Sequence, residues 1–120
     1  METVLRGSSN FDSSRTMGGM QTLPHPARDE IRIEAVLHAL ADPVRLHIVR
    51  ELAQCPDGVS CGVMDLGISP STLTHHVRTL REAGVVFVRP RGTSRISSLR
   101  RDDLDALYPG LLNGVLAAPR

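Results

Sequence analysis

From Asp29 onward apolar residues recur at helical spacing, with Ile33, Val36, Leu37 and Leu40 forming one face up to a break at Ala41-Asp42. The spacing predicts a first amphipathic helix. Asp42-Pro43 opens a second, because Asp42 can accept from the unpaired amides of the first turn and Pro43 has no N–H to leave unsatisfied there. Leu46, Val49 and Leu52 line one side of it until Cys55-Pro56-Asp57-Gly58 ends the pattern. The short apolar stretch VSCGVMDLGI, residues 59–68, reads as a third helix closed by Gly67. Ser69-Pro70 repeats the cap-plus-proline start and opens a fourth helix that ends at Gly84, a residue suited to a left-handed cap.

Beyond Gly84 the period changes from helical to alternating. VVFVRPR and SRISSLR flank Gly92-Thr93 and predict a β-hairpin with a basic tip. Residues 102–118 return to helical spacing through Leu104, Leu107, Leu111 and Val115, with a break at Pro109. The acids Asp102, Asp103 and Asp105 suit that helix's N-terminus. The predicted order is α-α-α-α-β-β-α, a mainly α fold with one small hairpin. Residues 1–26 are rich in Gly, Ser, Thr and Met, lack an apolar period and end in Pro24 and Pro26. They read as a disordered arm, which leaves residues 27–120 as the folded domain.

Charge adds what periodicity cannot. The whole chain of 120 residues carries a formal net charge of +1, yet Ser69 to Arg101 holds seven Arg and one acid, Glu82. A local basic stripe of this kind attracts phosphate backbone and releases its counterions. All fourteen basic residues are Arg, each able to present a planar fork to phosphate or to a guanine edge. GC-rich codon usage explains Arg over Lys equally well, but it does not explain the clustering. With three aromatic residues in the chain, the core must come from Leu, Val, Ile and Ala packed between helices. Two cysteines, no secretory leader and no long apolar run point to a cytoplasmic protein that does not act at a membrane.

The fourth helix carries the chemistry. Leu73, His76, Val77 and Leu80 share one face, while Ser71, Thr74, His75 and Arg78 share the opposite one. The second face offers short hydrogen-bonding side chains near the helix start, where a recognition helix enters the major groove, and a guanidinium further along. By the same geometry His75 points outward and His76 belongs to the packed side as a hydrogen-bonded structural residue. No glycine-rich phosphate loop or nucleophile-base pair stands out, and the small core leaves little room for a cleft. The chain is therefore read as a non-enzyme.

ALADPVRLHIVRELA and STLTHHVRTLREAGVV resemble the second helix and the recognition helix of the ArsR/SmtB family of bacterial winged helix-turn-helix regulators. The resemblance covers about residues 30–118. It implies a homodimer, joined through its first and last helices, that binds a pseudo-palindromic operator in double-stranded DNA as a repressor. Carried over by position, Ser69, Ser71, Thr72, Thr74, His75 and Arg78 form the reading set. Arg89, Arg91, Arg95 and the hairpin tip become wing contacts.

Many members of that family respond to a metal. Thiolate-sensing members place Cys-x-Cys directly before Asp-Leu, whereas here Asp65-Leu66 follows Cys61-Gly-Val-Met64. Other members use Asp and His along the last helix; this chain has Asp102, Asp103 and Asp105 there and no His beyond His76. His25 from the arm, or Glu34 with His38 on the first helix, would have to complete such a site, and these ligands favour Ni, Zn or Co. Two other signals stay open, a reversible disulfide between Cys55 and Cys61 or a regulatory partner protein. A different class of function stays open as well, in which the winged helix is a protein-interaction module that binds an acidic partner.

Overall fold

The computed structural model describes residues 23–60 and 66–119. A 3₁₀ turn at Arg28–Glu30 precedes helix α1 (Ile33–Leu40), helix α2 (Pro43–Ala53) and a two-residue strand β1 (Val59–Ser60). Helix α3 (Pro70–Ala83), strands β2 (Val86–Arg91) and β3 (Ser94–Leu99), and helices α4 (Arg101–Leu107) and α5 (Leu111–Ala117) follow.

Both cap-plus-proline starts form. Asp42 Oδ2 accepts from the amides of Val44 at 2.9 Å and Arg45 at 3.0 Å, which satisfies two of the donors that a helix start leaves free. Ser69 Oγ accepts from the Thr72 amide at 3.2 Å, so α3 begins one residue after its cap. At the other end of α3, Gly84 takes φ of 88°, and its amide closes onto the carbonyls of Leu80 and Arg81. A Cβ there would lie 2.5 Å from Ile31 Cγ1 and 2.7 Å from Ile31 Cδ1, so the site requires glycine for space as well as for backbone conformation.

The hairpin forms around Gly92-Thr93, with Arg91 opposite Ser94 and Val86 opposite Leu99. β3 is the central strand of an antiparallel sheet ordered β1-β3-β2. Val59 and Ser60, the start of the helix expected over residues 59–68, are a strand instead. Val59 pairs with Ser97 and Ser60 with Ile96, and Leu66 to Ser69 is not helical. Gly58, at φ of 99°, steers the chain against β3, where a Cβ would meet Ile96 Cγ2 at 2.5 Å. Residues 61–65, the middle of the expected helix, lie outside the described residues.

α1, α2 and α3 pack around Val36, Ala39, Ile48, Val49, Leu52, Leu73, Val77 and Leu80, with Val85, Val86 and Val88 closing the core from the sheet side. Leu104 of α4 and Leu112 of α5 are buried against it. The last helix is divided, as Pro109 foretold: Tyr108 to Gly110 separates α4 from α5, with Gly110 at φ of 86°. The face expected for α1 divides too. Val36 and Leu40 point inward together with Ala39, whereas Ile33 and Leu37 are 39% and 49% exposed. Among the described residues, no helix is long and apolar enough to cross a membrane.

Leu23 to Pro26 depart from the reading of residues 1–26 as one disordered arm. Arg81 Nη1 donates to the Pro24 carbonyl at 2.6 Å, Arg100 Nη1 donates to the Pro26 carbonyl at 2.7 Å, and the Val88 amide donates to His25 Nε2 at 3.0 Å. These bonds dock the segment on α3, β2 and the residue before α4. Residues 1–22 lie outside the described residues.

Candidate nucleic-acid interface

α3 presents its two faces as its sequence requires. Leu73, Val77 and Leu80 are buried, while Ser71, Thr72, Thr74, His75 and Arg78 are exposed. The hydroxyls of Ser69, Ser71 and Thr72 form a short chain at the helix start, with Ser69 Oγ 2.8 Å from Thr72 Oγ1 and 3.3 Å from Ser71 Oγ. Ser69 and Thr72 are therefore partly committed to the cap. Thr74 and His75 are exposed one turn on, with no side-chain hydrogen bond to His75 or from its ring among the described residues. Arg78 is 65% exposed and lies 3.9 Å from Glu82, an ion pair weak enough to yield to phosphate.

The wing stands beside this helix. A cleft of about 610 Å³ separates them, lined on one side by Thr74, Val77 and Arg78 and on the other by Thr93, Ser94 and Arg95. Leu23 and Arg81 sit in the same cleft. Arg91 and Arg95 are exposed and have no polar partner among the described residues, so both guanidiniums are available to a phosphate backbone. Arg89 differs from them: it is half-buried and Nη2 donates to the Asp57 carbonyl at 3.1 Å.

The stripe of seven arginines is accordingly not uniform. Arg81 is 7% exposed and holds Pro24. Arg100 is held by Pro26 and by Asp103 Oδ2 at 2.9 Å, and Arg101 reaches Asn113 Oδ1 at 3.0 Å and Asp105 at 3.7 Å. Arg78, Arg91 and Arg95 remain as the open cations on the helix and the wing. Helical position carried a signal for Arg81, which lies on the packed face with Val77 and next to Leu80.

His76 takes the structural place expected of it, and it has a partner that periodicity did not reveal. Arg45 of α2 is 8% exposed; its Nε donates to the Ala39 carbonyl at 2.7 Å and its Nη1 lies 3.2 Å from His76 Nδ1. Guanidinium can only donate, so Nδ1 is the acceptor wherever this contact is a hydrogen bond, and Asp42 Oδ2 lies 4.0 Å from the same nitrogen. The end of α1, the start of α2 and the recognition helix are thereby joined through one side chain. Asp42, which caps α2, has its carboxyl pKa held below the ordinary value by the Arg45 backbone hydrogen bond and by nearby positive charge, against a smaller cost of burial.

The side chains named as metal ligands do not converge. Glu34 pairs with Arg32 at 2.7 Å, and Asp103 lies between Arg28 at 2.7 Å and Arg100 at 2.9 Å. Burial pushes the Asp103 carboxyl up, but hydrogen bonds and charge from those two arginines outweigh it and hold the pKa low. His25 Nε2 is engaged by Val88, Asp102 and His38 are exposed, and Asp105 faces Arg101. Among the described residues no three His, Cys, Asp or Glu side chains gather as a metal would require. The donor set of the described residues does not fit a metal within one chain. Cys55 is an exposed free thiol, and Cys61 lies outside the described residues.

The same architecture recurs in known regulators. A helix-turn-helix domain profile matches residues 40–89, which takes in α2, α3 and the start of the wing. The chain is 36% identical over 86 residues to the uncharacterised helix-turn-helix-type transcriptional regulator YceK of Bacillus subtilis, a match covering 70% of this chain and 85% of that protein. It is 29% identical over 80 residues to the arsenical resistance operon repressor of Staphylococcus xylosus, covering 66% of this chain and 76% of the repressor. The chain belongs to the ArsR/SmtB family of winged helix-turn-helix transcriptional regulators. The crystal structure of the transcriptional repressor BigR from Xylella fastidiosa superposes with a TM-score of 0.51 at 26% identity, over 63% of this chain and 85% of that one. For an ArsR/SmtB regulator, α3 is the recognition helix and the β2–β3 hairpin is the wing. The family is one of non-enzymatic DNA-binding proteins, in line with the absence of catalytic motifs from the sequence.

Proposed function

We propose that this ArsR/SmtB regulator is a homodimeric repressor that acts in the cytoplasm on a pseudo-palindromic operator, with α3 of each protomer reading a major groove. The observation that carries this reading is the pairing of an exposed helix face, Ser71, Thr74, His75 and Arg78, with the open arginines Arg91 and Arg95 of the wing, the helix and wing facing each other across one cleft. Ser71, Thr74 and His75 suit base edges near the helix start. Arg78 suits a guanine edge or a phosphate, and the wing arginines suit phosphate.

Dimerisation is supported by the outward pair Ile33 and Leu37, one turn apart on α1, together with the half-buried Leu111, Val115 and Leu116 of α5. A two-fold axis through such a surface would set the two recognition helices about 34–36 Å apart, one turn of DNA. The charged substitution Leu37→Glu is expected to yield a monomer by sedimentation, with operator affinity lost.

The reading face is tested by measuring affinity for a palindromic operator and for unrelated DNA at one salt concentration. His75→Ala and Arg78→Ala are expected to narrow the gap between the two by about 1–3 kcal/mol each. Unchanged affinity and unchanged discrimination in both variants would remove α3 as the reader, and binding to an acidic protein in place of DNA would move the basic surface to a different function.

A further inference from the structure

Three consecutive residues ahead of the first helix, Pro24, His25 and Pro26, are each bound by a different part of the fold. Arg81, buried on α3, donates to the Pro24 carbonyl at 2.6 Å; the backbone amide of Val88 on β2 donates to His25 Nε2 at 3.0 Å; Arg100, between β3 and α4, donates to the Pro26 carbonyl at 2.7 Å. The His25 ring also stacks on Phe87, with centroids 4.4 Å apart and planes inclined by 24°. Prolines on both sides fix φ near −65° and favour extended backbone before each, so the segment is preorganised to span its contacts. Two of the three bonds use a guanidinium, and the third satisfies a sheet-edge amide.

From this arrangement we infer that Leu23–Pro26 is a brace fixing the placement of the wing relative to the recognition helix, with His25 as a positioning residue for operator binding. The inference rests on reading α3 and the wing as the DNA surface. Bases are met by α3 and phosphates by Arg91 and Arg95 some distance away on the hairpin. Both sets engage one duplex only if helix and hairpin hold a fixed relation. The brace is bonded to both, and Leu23 reaches into the cleft between them, which Thr74, Arg78 and Arg95 also line.

The choice of histidine follows from the contact. Nε2 must be an acceptor, so the ring must be neutral. Burial is the main cause that lowers its pKa to about 4, and the charges of Arg81 and Arg100 act in the same direction, against a backbone hydrogen bond with Leu23. His25 therefore keeps its lone pair on the Val88 amide near neutral pH.

The test uses the full chain and three substitutions. His25→Gln keeps an acceptor at the reach of Nε2, His25→Phe keeps the stacking ring without an acceptor, and Arg81→Met removes the bond from the recognition helix. Affinities for operator and for unrelated DNA are measured well below each variant's unfolding temperature, with amide exchange at Val88 followed in parallel. His25→Gln is expected to bind operator within about twofold of the native chain. His25→Phe and Arg81→Met should each lose about threefold to tenfold on operator and less on unrelated DNA, with faster exchange at Val88 in His25→Phe. The double variant should be no weaker than the worse single one, because both changes break the same brace.

Native operator affinity in His25→Phe, or losses that add in the double variant, would overturn the brace and leave the DNA-binding reading in place. Equal losses in His25→Gln and His25→Phe that track their melting temperatures would reduce the segment to a structural role and also overturn it. A native chain that fails to distinguish operator from unrelated DNA would overturn both readings.

Discussion

Gly84 joins the recognition helix to the wing, and replacing it with alanine tests how closely that joint is packed against Ile31. At φ of 88° an L-residue incurs a left-handed backbone cost of about 1–2 kcal/mol. The new methyl would also lie 2.5 Å from Ile31 Cγ1, and Ile31 is 8% exposed, so its side chain has little room to yield. Overpacking of this kind costs about 1–3 kcal/mol, for a total of about 2–5 kcal/mol. Gly92, at φ of 61° with nothing within 4 Å of its Cβ position, supplies a control in which only the backbone cost applies. Urea unfolding separates the two. With an m-value of about 1–3 kcal/mol/M, a loss of about 3 kcal/mol moves the midpoint down by about 1–3 M at unchanged slope. Ile31→Ala in the same chain should relieve part of the Gly84→Ala penalty, giving a double variant more stable than the sum of the singles. If Gly84→Ala were no more destabilised than Gly92→Ala, within about 0.5 kcal/mol, the close approach of Ile31 would not be what requires glycine.

Arg91→Ala and Arg95→Ala should weaken operator and unrelated DNA alike, and each should make the plot of log affinity against log salt shallower by about two for a dimer; a change in sequence preference would contradict phosphate anchoring. His25 has a folded-state pKa of about 4 against 6.5 for the free side chain, so the unfolded chain binds more protons between those values. Its contribution to stability is therefore complete above about pH 6.5 and is lost as pH falls toward 4; melting temperatures across this range should fall less in His25→Gln than in the native chain. Asp42→Ala removes a cap that accepts from two amides and should cost about 1–2 kcal/mol, with Asp42→Asn retaining part of it, as read by thermal melting.

What the chain announces in advance follows from local rules. Asp42-Pro43, Ser69-Pro70, Gly84 and Gly92-Thr93 each satisfy a backbone requirement within four residues of themselves, and each stands where those rules place it. The division of α3 into Leu73, Val77 and Leu80 against Thr74, His75 and Arg78 follows from a single period. The missed features are contacts across long separations. His25 meets a strand amide 63 positions away, and Arg81 reaches back 57 positions to a proline carbonyl. Val59-Ser60 is too short to show an alternating period, and its pairing with β3 depends on Gly58. Arginine misleads most, because charge counts Arg81, Arg100 and Arg78 alike although only Arg78 faces solvent.

The docked segment has a consequence for solubility as well as for geometry. A three-stranded sheet has two open margins on which another chain can add a strand and begin aggregation. On one margin β1 is two residues long among the described residues. On the other, alternation directs the amides of Val86, Val88 and position 90 away from β3. Position 90 is proline and has no amide, and the Val88 amide is taken by His25. An imidazole from outside the sheet, with one proline inside it, takes two of the three outward positions of β2 out of reach of a second molecule's strand, while Arg91 and Arg95 stay exposed.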